Sequence, residues 1–496
     1  MGSKGDKQSC FRTFFLSTVI VVLLGTHCFG HAFAADEELQ EKWKNRYITE
    51  ETRELVQTVI SAADGGAVVW ANQTDYQWNS MPATLLKADA DGQKVWTTTV
   101  PQGFWISNVK RAKEGGYLIM GALESKPEKL QLIKLTEAGK MEWTKAISVE
   151  GGAMTENRLF NYKDFAQTID GGFVVVGRKF TDGCCQGGDP TTVYIVKISQ
   201  SGTIEWDKQL GKPAYNTGER VFVTDRGDVY IQGLLSYGDA YLYMAKLNKK
   251  GKVIWENTYS GTGTVYSINS TSDDGVVITG NTNRTRPYPV FDDIFALKID
   301  SKGDLEWQKR YGEEKRGEVG VSLSETDNGS YMLIGRIQTE TNDASYWSFM
   351  KLDHSGNMLW DKPLEFPNVR SVFAAPTENG DYLLLGEYWE RNSIGMADKR
   401  DIHLVKFGKS KAVLSLVASK HEIKLSKDET RQLELQATYD DGTHETVTDK
   451  VNWSSSDELI AVVDDNGQVT GKQKGKAIIT ATYQGKSAAF SVKVSK

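Results

Sequence analysis

Two adjacent cysteines, Cys184 and Cys185, are the first candidates for chemistry in this sequence. They lie in the stretch Asp-Gly-Cys-Cys-Gln-Gly-Gly-Asp, which ends at Asp189. Neighbouring thiols in an oxidising compartment can join to each other, but they cannot connect distant segments. We therefore predict a vicinal disulfide between Cys184 and Cys185 that stabilises the loop around it.

Other patterns that could support catalysis or metal binding do not assemble into a site. The histidines His354, His403, His421 and His444 are too far apart for the spacings of zinc ligands. No Gly-x-Ser-x-Gly nucleophile motif occurs. The sequence therefore predicts no catalytic residues, no cofactor and no metal ligands.

The chain does contain a repeat, Lys-x-x-x-x-Gly-x-x-x-Trp, with constant internal spacing. Its six copies are Lys87/Gly92/Trp96, Lys134/Gly139/Trp143, Lys197/Gly202/Trp206, Lys246/Gly251/Trp255, Lys298/Gly303/Trp307 and Lys351/Gly356/Trp360. A lysine that recurs around a repeat is typical of architecture, with its stem packed and its charge paired or hydrated. We expect function where the repeats differ.

A second element precedes each copy and also precedes Lys406: an acidic or amide residue with glycine, followed by an apolar run. Its seven copies begin at Asp64, Glu114, Asp170, Asp225, Asp274, Asn328 and Asn379. The glycines predict hairpin turns with positive φ. Runs such as 117–120, 173–176 and 382–385 are apolar throughout, which predicts strands covered on both faces.

The seventh tryptophan is missing from the end of the repeat region but is present at its beginning. The last unit stops at Phe407, whereas Trp43 to Tyr47 resembles Trp307 to Tyr311. We predict that this N-terminal segment supplies the outer strand of the last unit and leaves no exposed edge.

These units resemble the tryptophan-bearing repeat propellers of secreted bacterial proteins and, more distantly, quinoprotein propellers. The resemblance covers residues 40 to 407 and implies an all-β, seven-bladed β-propeller. Some quinoproteins place a vicinal disulfide against their cofactor, which is an alternative role for the two cysteines.

The C-terminal segment has a different texture. It contains Trp453-Ser454-Ser455 and an Asn-Gly-x-Val-x-Gly run from Asn466 to Gly471. These motifs resemble the bacterial immunoglobulin-like group 2 domain, which implies a β-sandwich with Trp453 in its core. Members of that family are common on secreted and surface proteins as spacers or adhesive modules.

The N-terminus has the order of a secretory signal peptide: basic residues, an apolar run from Phe14 to Leu24, and small residues ending at Ala34. Cleavage there removes three Lys/Arg residues and one Asp, so the formal charge changes from −6 to −8. An acidic chain lacks the basic surface that nucleic acids require. We predict residues 1–34 as signal peptide, 35–407 as propeller and 408–496 as the Ig-like domain, with no membrane insertion after cleavage.

We interpret the chain as a non-enzymatic extracellular or cell-surface protein that binds a polysaccharide, a protein or a wall component. The alternative is a secreted enzyme on a propeller scaffold, either a quinoprotein-type dehydrogenase or a glycan-cleaving enzyme. Strand direction places both kinds of tight turn on one face and the variable connections on the other, where specificity usually lies. The predicted binding residues on that loop-rich face are Asp189, Arg284, Arg286, Tyr288, Trp389 and Arg391.

Overall fold

A computed structural model gives the arrangement of most of the chain after residue 38. It describes residues 39–48, 53–74, 80–147, 160–180, 191–214, 216–236, 240–282, 292–312, 317–338, 345–364, 369–391, 397–409, 413–419, 421–440 and 442–495. Regular structure within these ranges consists of β-strands. No helix in these ranges has the length and apolarity needed to cross a membrane.

An N-terminal strand, β1 (Leu39–Tyr47), precedes a series of four-stranded units. Sheet 1 contains β2 (Arg53–Ser61), β3 (Ala67–Thr74), β4 (Ser80–Ala88) and β5 (Lys94–Thr99). Sheet 2 contains β6 (Phe104–Arg111), β7 (Tyr117–Leu123), β8 (Lys126–Leu135) and β9 (Met141–Ile147). Sheet 3 contains β10 (Phe160–Gln167), β11 (Phe173–Phe180), β12 (Thr191–Ile198) and β13 (Ile204–Ala214).

The pattern continues without interruption. Sheet 4 contains β14 (Thr217–Val223), β15 (Val229–Ser236), β16 (Ala240–Leu247) and β17 (Val253–Tyr259). Sheet 5 contains β18 (Thr264–Ser270), β19 (Val276–Asn281), β20 (Ile294–Ile299) and β21 (Leu305–Tyr311). Sheet 6 contains β22 (Gly317–Glu325), β23 (Tyr331–Gln338), β24 (Ser345–Leu352) and β25 (Met358–Leu364). Sheet 7 contains β26 (Val369–Pro376), β27 (Tyr382–Arg391), β28 (Ala397–Lys409) and, beside β28, β1.

Strands within sheets 1 to 7 are antiparallel and lie in chain order, except that β1 takes the fourth position of sheet 7. The pairing of β1 with β28 places Trp43 opposite Lys406, just as Trp307 lies opposite Lys298 in sheet 5. The N-terminal segment therefore forms the outer strand that the sequence predicts for the last unit.

The second and third strands of each sheet are more deeply buried than the fourth, and the apolar runs predict this for the second strands. In β7, the side chains from Tyr117 to Met120 are at most 1% exposed. The fourth strands alternate between exposed and covered residues; in β5, for example, Trp96 is partly covered and its neighbours are exposed. A central strand covered on both faces is characteristic of sheets that pack face to face.

An apolar cluster lies between each pair of consecutive sheets. Six such clusters join sheets 1 to 7 in order. A further cluster joins sheet 7 to sheet 1 through residues that include Val69, Leu383 and Leu404. Consecutive packing that returns from the last sheet to the first is the arrangement expected of a propeller.

The turns have the backbone that the glycines predict, with one exception. Gly65, Gly115, Gly171 and Gly380 all have positive φ between 76° and 91°. In sheet 5 this conformation is adopted by Asp274, with φ of 62°, rather than by Gly275. An aspartate tolerates the left-handed region better than most residues, so the turn keeps its shape.

The C-terminal part of the chain forms a separate apolar core between short sheets. Its strands are β29 (Val413–Ala418), β30 (Glu422–Leu425), β31 (Thr430–Gln432), β32 (Leu435–Tyr439), β33 (His444–Thr446), β34 (Asn452–Ser455), β35 (Ala461–Val463), β36 (Gln468–Gly471), β37 (Gly475–Tyr483) and β38 (Lys486–Val494). Trp453 packs against this core, and its indole lies 5.7 Å from the ring of Phe490. Trp453 is therefore a packing residue, as predicted.

Candidate binding site

The repeated lysines are buried at the end of the sheets that carries the tight turns, which we call the tight-turn face. Lys87, Lys197 and Lys298 are 2–4% exposed. Each ammonium contacts the aspartate of its own sheet's first turn: Lys87 to Asp64 at 2.8 Å, Lys197 to Asp170 at 3.1 Å, Lys298 to Asp273 at 2.7 Å and Lys406 to Asp381 at 3.0 Å. The predicted architectural role of the lysines is confirmed.

These contacts also change the acidity of the partner carboxylates. Burial acts to raise the pKa of Asp170, but hydrogen bonds from Thr168 and Gly172 and the ammonium of Lys197 outweigh it. The pKa of Asp170 is consequently lowered to about 2. The carboxylate is therefore ionised at any physiological pH and stabilises its own turn.

In sheets 1, 3, 4 and 5, the tryptophan packs on the third-to-fourth-strand hairpin of the next sheet. A Cβ placed on Gly139, Gly251, Gly303 or Gly356 would lie 2.6–2.8 Å from the indole of the preceding sheet. The indole nitrogen of Trp96 donates a hydrogen bond to the carbonyl of Glu137, and that of Trp255 donates to Ser301. The constant spacing between glycine and tryptophan thus serves contact between sheets, and we assign no ligand-binding role to these residues.

A cavity of about 570 Å³ lies where the first strands of all seven sheets meet. A β-bulge interrupts each of these strands near its middle. The lining residues come from the bulges and from the strand halves that run toward the tight-turn face, for example Ser107 to Arg111 in β6. Bulges redirect side chains, so each sheet presents a different residue to the same space.

One wall of the cavity is a saturated ion pair. Asp164 is 3% exposed and accepts hydrogen bonds from Asn108 Nδ2 at 2.7 Å and Lys110 Nζ at 2.9 Å. It also accepts from the backbone nitrogens of Phe165 and Val221, each at 2.8 Å. A buried carboxylate with four donors is a structural element that ties sheets 2, 3 and 4 together.

The rest of the cavity lining includes a cationic side chain without a partner among the described residues, and aromatic rings. Arg220 lines the cavity, and its guanidinium makes no hydrogen bond or ion pair with any described residue. Aromatic residues line the same cavity: Phe222 of the same strand, and Trp70, Tyr266 and Phe373 of other sheets. Among all residues that the structure describes, no group of three or more His, Cys, Asp and Glu side chains is arranged to bind a metal ion.

The opposite end of the sheets is the loop-rich face, where second strands end and fourth strands lead to the next sheet. Its longest described hairpin is that of β27 and β28, whose pairing extends to Arg391 opposite Ala397. Trp389 Nε1 donates to the buried Glu387 at 3.0 Å, and the Arg400 guanidinium lies 4.2 Å from the Trp389 ring centroid. Burial raises the pKa of Glu387, which Trp389 and Arg400 partly offset.

A second charged group, the Arg46–Asp401 ion pair, lies in the same sheet as Glu387 and Arg400. Arg46 pairs with the fully buried Asp401 at 2.5 Å, and its guanidinium lies 4.0 Å from the ring centroid of Tyr388. Burial, with the positive charges of Lys44 and Arg46, lowers the pKa of His403 to about 4. His403 is therefore neutral at physiological pH.

The predicted binding residues are described only in part. Trp389 contacts Glu387 and Arg400 in sheet 7, and Arg391 is the last residue of β27. The remaining predicted residues lie outside the described residues: Cys184, Cys185, Asp189, Arg284, Arg286 and Tyr288. Sequence reasoning did not identify Asp164 or Arg220, because the first strands carry no repeated motif that would have singled them out.

Comparison with known proteins identifies one part of the chain by sequence. Residues 414–494 match the bacterial Ig-like domain (group 2). Ice-binding protein 1 of Shewanella frigidimarina (strain NCIMB 400) is 41% identical over 71 residues, which are 14% of this chain. This chain spans 8% of the length of that relative.

Solved structures that align with this chain are distant from it in sequence. The β-propeller domain of the Trilobed protease from Pyrococcus furiosus is 10% identical, with a TM-score of 0.41 over 81% of this chain and 97% of that one. A puromycin hydrolase is 13% identical, with a TM-score of 0.43 over 86% and 58%. A polysaccharide lyase, ulvan lyase, is 8% identical, with a TM-score of 0.40 over 79% and 90%. Residues 414–494 are a bacterial Ig-like domain of group 2, and the all-β region before it is built from the repeated four-stranded sheets of a β-propeller.

Proposed function

We propose that sheets 1 to 7 are the blades of one closed seven-bladed propeller and that this propeller is a non-enzymatic binding module. Support for closure comes from the apolar cluster between sheets 7 and 1 and from a cavity that is lined by the first strands of all seven sheets. The pairing of β1 with β28 covers the last edge. A closed ring presents two faces of different character.

The loop-rich face is the proposed ligand-binding surface. The observation that carries this proposal is the contrast between the two faces. On the tight-turn face the lysine and aspartate contacts recur from sheet to sheet. On the loop-rich face, sheet 7 alone among the described hairpins carries the arrangement of Trp389, Glu387 and Arg400. Variable groups on a constant scaffold are where binding specificity usually lies.

Aromatic rings beside charged hydrogen-bonding groups suit polysaccharides and protein surfaces. The proposed partner is an extracellular polysaccharide, protein or wall component. The proposed surface comprises Asp189, Arg284, Arg286, Tyr288, Trp389 and Arg391. The Ig-like domain, from a family typical of surface proteins, supports an exported location, where it would act as spacer or second contact.

A glycan array, combined with pull-down from cell-wall fractions, tests this proposal against the enzymatic alternative. We expect the intact protein to retain a ligand without converting it. A visible absorbance spectrum after incubation with quinone and calcium provides the second arm. A bound quinone with dehydrogenase activity, or cleavage of a retained glycan, would contradict the non-enzymatic proposal.

A further inference from the structure

The charge of the central cavity is opposite to that of the protein. Its described lining contains three cationic side chains, Lys110, Arg111 and Arg220, and one anionic side chain, Asp164. The whole chain has a formal charge of −6. A positive cavity in a negative protein concentrates small anions, because low-dielectric walls focus the local field.

Two of the three cations already have carboxylate partners. Lys110 pairs with Asp164 at 2.9 Å. Arg111 pairs with Glu378 at 2.5 Å, at the tight-turn end of the cavity. Arg220 makes no such contact within the described chain, although its backbone neighbour Val221 donates to Asp164. Among the described residues that line the cavity, the guanidinium of Arg220 is therefore the cation that remains available to a ligand.

The rest of the lining suits a hydroxylated molecule. Side-chain hydroxyl and amide groups surround the cavity: Gln57, Thr58, Ser61, Ser107, Asn108 and Ser267. Aromatic rings such as Tyr266, which is 41% exposed, offer flat apolar faces. Polar side chains in a partly apolar cavity fix the orientation of a ligand and provide specificity.

We propose that this cavity binds a sugar acid, with the ligand carboxylate paired to Arg220 and its hydroxyls bonded to the surrounding serine and amide groups. A guanidinium can bind a carboxylate through two parallel hydrogen bonds, which gives it more specificity than a point charge. The volume of about 570 Å³ lies within the range of small-molecule sites and suits one or two sugar units. This site is distinct from the proposed loop-rich surface, since its lining comes from the first strands.

Isothermal titration of the intact exported protein with glucuronate, glucose, acetate and inorganic phosphate tests the proposal. We expect glucuronate to bind and glucose, its neutral counterpart, to bind at least about tenfold more weakly. Acetate and phosphate separate a sugar-acid site from a simple anion site. Equal affinity for phosphate or for glucose, or no binding of glucuronate, would overturn the proposal.

Matched variants locate the site. Arg220→Gln should weaken glucuronate binding by about tenfold or more, whereas Arg226→Gln should leave it unchanged. Arg226 belongs to the same sheet but lies in its exposed turn, paired with Asp274 at 2.7 Å. If Arg220→Gln lowers the melting temperature, Arg220→Lys and Tyr266→Ala provide the same comparison. Unchanged binding in the folded cavity variants would overturn the proposal. Loss of binding in Trp389→Ala would also overturn it, because it would move the ligand to the loop-rich face.

Discussion

Trp43 lies directly against Gly92, so the outer strand of sheet 7 contacts the third-to-fourth-strand hairpin of sheet 1. The indole Nε1 donates to the carbonyl of Ala90 at 2.6 Å, and a Cβ on Gly92 would lie 2.7 Å from the indole ring. Asn45 and Tyr47 each donate a further hydrogen bond to the Gly92 carbonyl. The first and last sheets are thus joined by the same contact that joins sheet 1 to sheet 2 and that joins sheets 3 to 6 in order.

Gly92→Ala tests this contact against the turn that contains it. Gly92 and Gly202 occupy equivalent hairpins and both have positive φ, but a Cβ on Gly202 would meet nothing within 4 Å. Gly202→Ala should therefore cost only the backbone strain, about 1 kcal/mol. Gly92→Ala adds the overlap with Trp43 and should cost about 3 kcal/mol in urea unfolding. Equal losses for the two variants would show that the indole contact is unimportant.

Trp43→Ala tests the same contact from the other side. Removing a largely covered indole should lower the free energy of unfolding by about 3 kcal/mol. Trp105→Ala is the control, because Trp105 is 44% exposed and its removal should cost less than about 1 kcal/mol. Deleting residues 35–50 should expose the edge of β28 and promote aggregation, which light scattering would detect. A deletion variant that stays monomeric and equally stable would contradict the role of β1.

These contacts also indicate how far the sequence alone could reach. The Gly-x-x-x-Trp spacing predicted the hairpins, and Trp43 predicted the added strand, because one physical requirement recurs at the same position in each repeat. Asp164 and Arg220 could not be found in this way. They occupy equivalent places on neighbouring sheets but differ in charge, and only the three-dimensional arrangement brings them to one cavity.

His403 should make the stability of the protein depend on pH. Its folded pKa of about 4 lies below the ordinary value of 6.5, so the unfolded chain takes up a proton first as the pH falls. Above about pH 6.5 the neutral His403 does not reduce the free energy of unfolding. As the pH falls toward 4, protonation of the unfolded chain reduces that free energy by up to about 3 kcal/mol. Urea unfolding between about pH 7 and pH 4.5 should show this decrease in the wild type and a smaller one in His403→Gln. Identical pH profiles would contradict the assignment.

Cys184 and Cys185 should be joined to each other in the exported protein. An oxidising compartment favours the disulfide. Once the predicted signal peptide is removed with Cys10 and Cys28, each of the two remaining cysteines has only the other as an intramolecular partner. Mass spectrometry after alkylation under native and denaturing conditions should find no free thiol until a reductant is added. Two alkylated cysteines without reduction would disprove the pairing.

The location of ligand binding is the central claim, and a pair of arginines tests it most directly. Arg391 ends β27 on the loop-rich face, whereas Arg226 lies in an exposed turn on the tight-turn face. Charge reversal of each residue, together with Trp389→Ala, should be measured for binding to the retained ligand and for melting temperature. We predict that Arg391→Glu and Trp389→Ala abolish binding at an unchanged melting temperature, while Arg226→Glu binds like the wild type. Loss of binding in Arg226→Glu, with binding kept in the two loop-rich variants, would contradict the account.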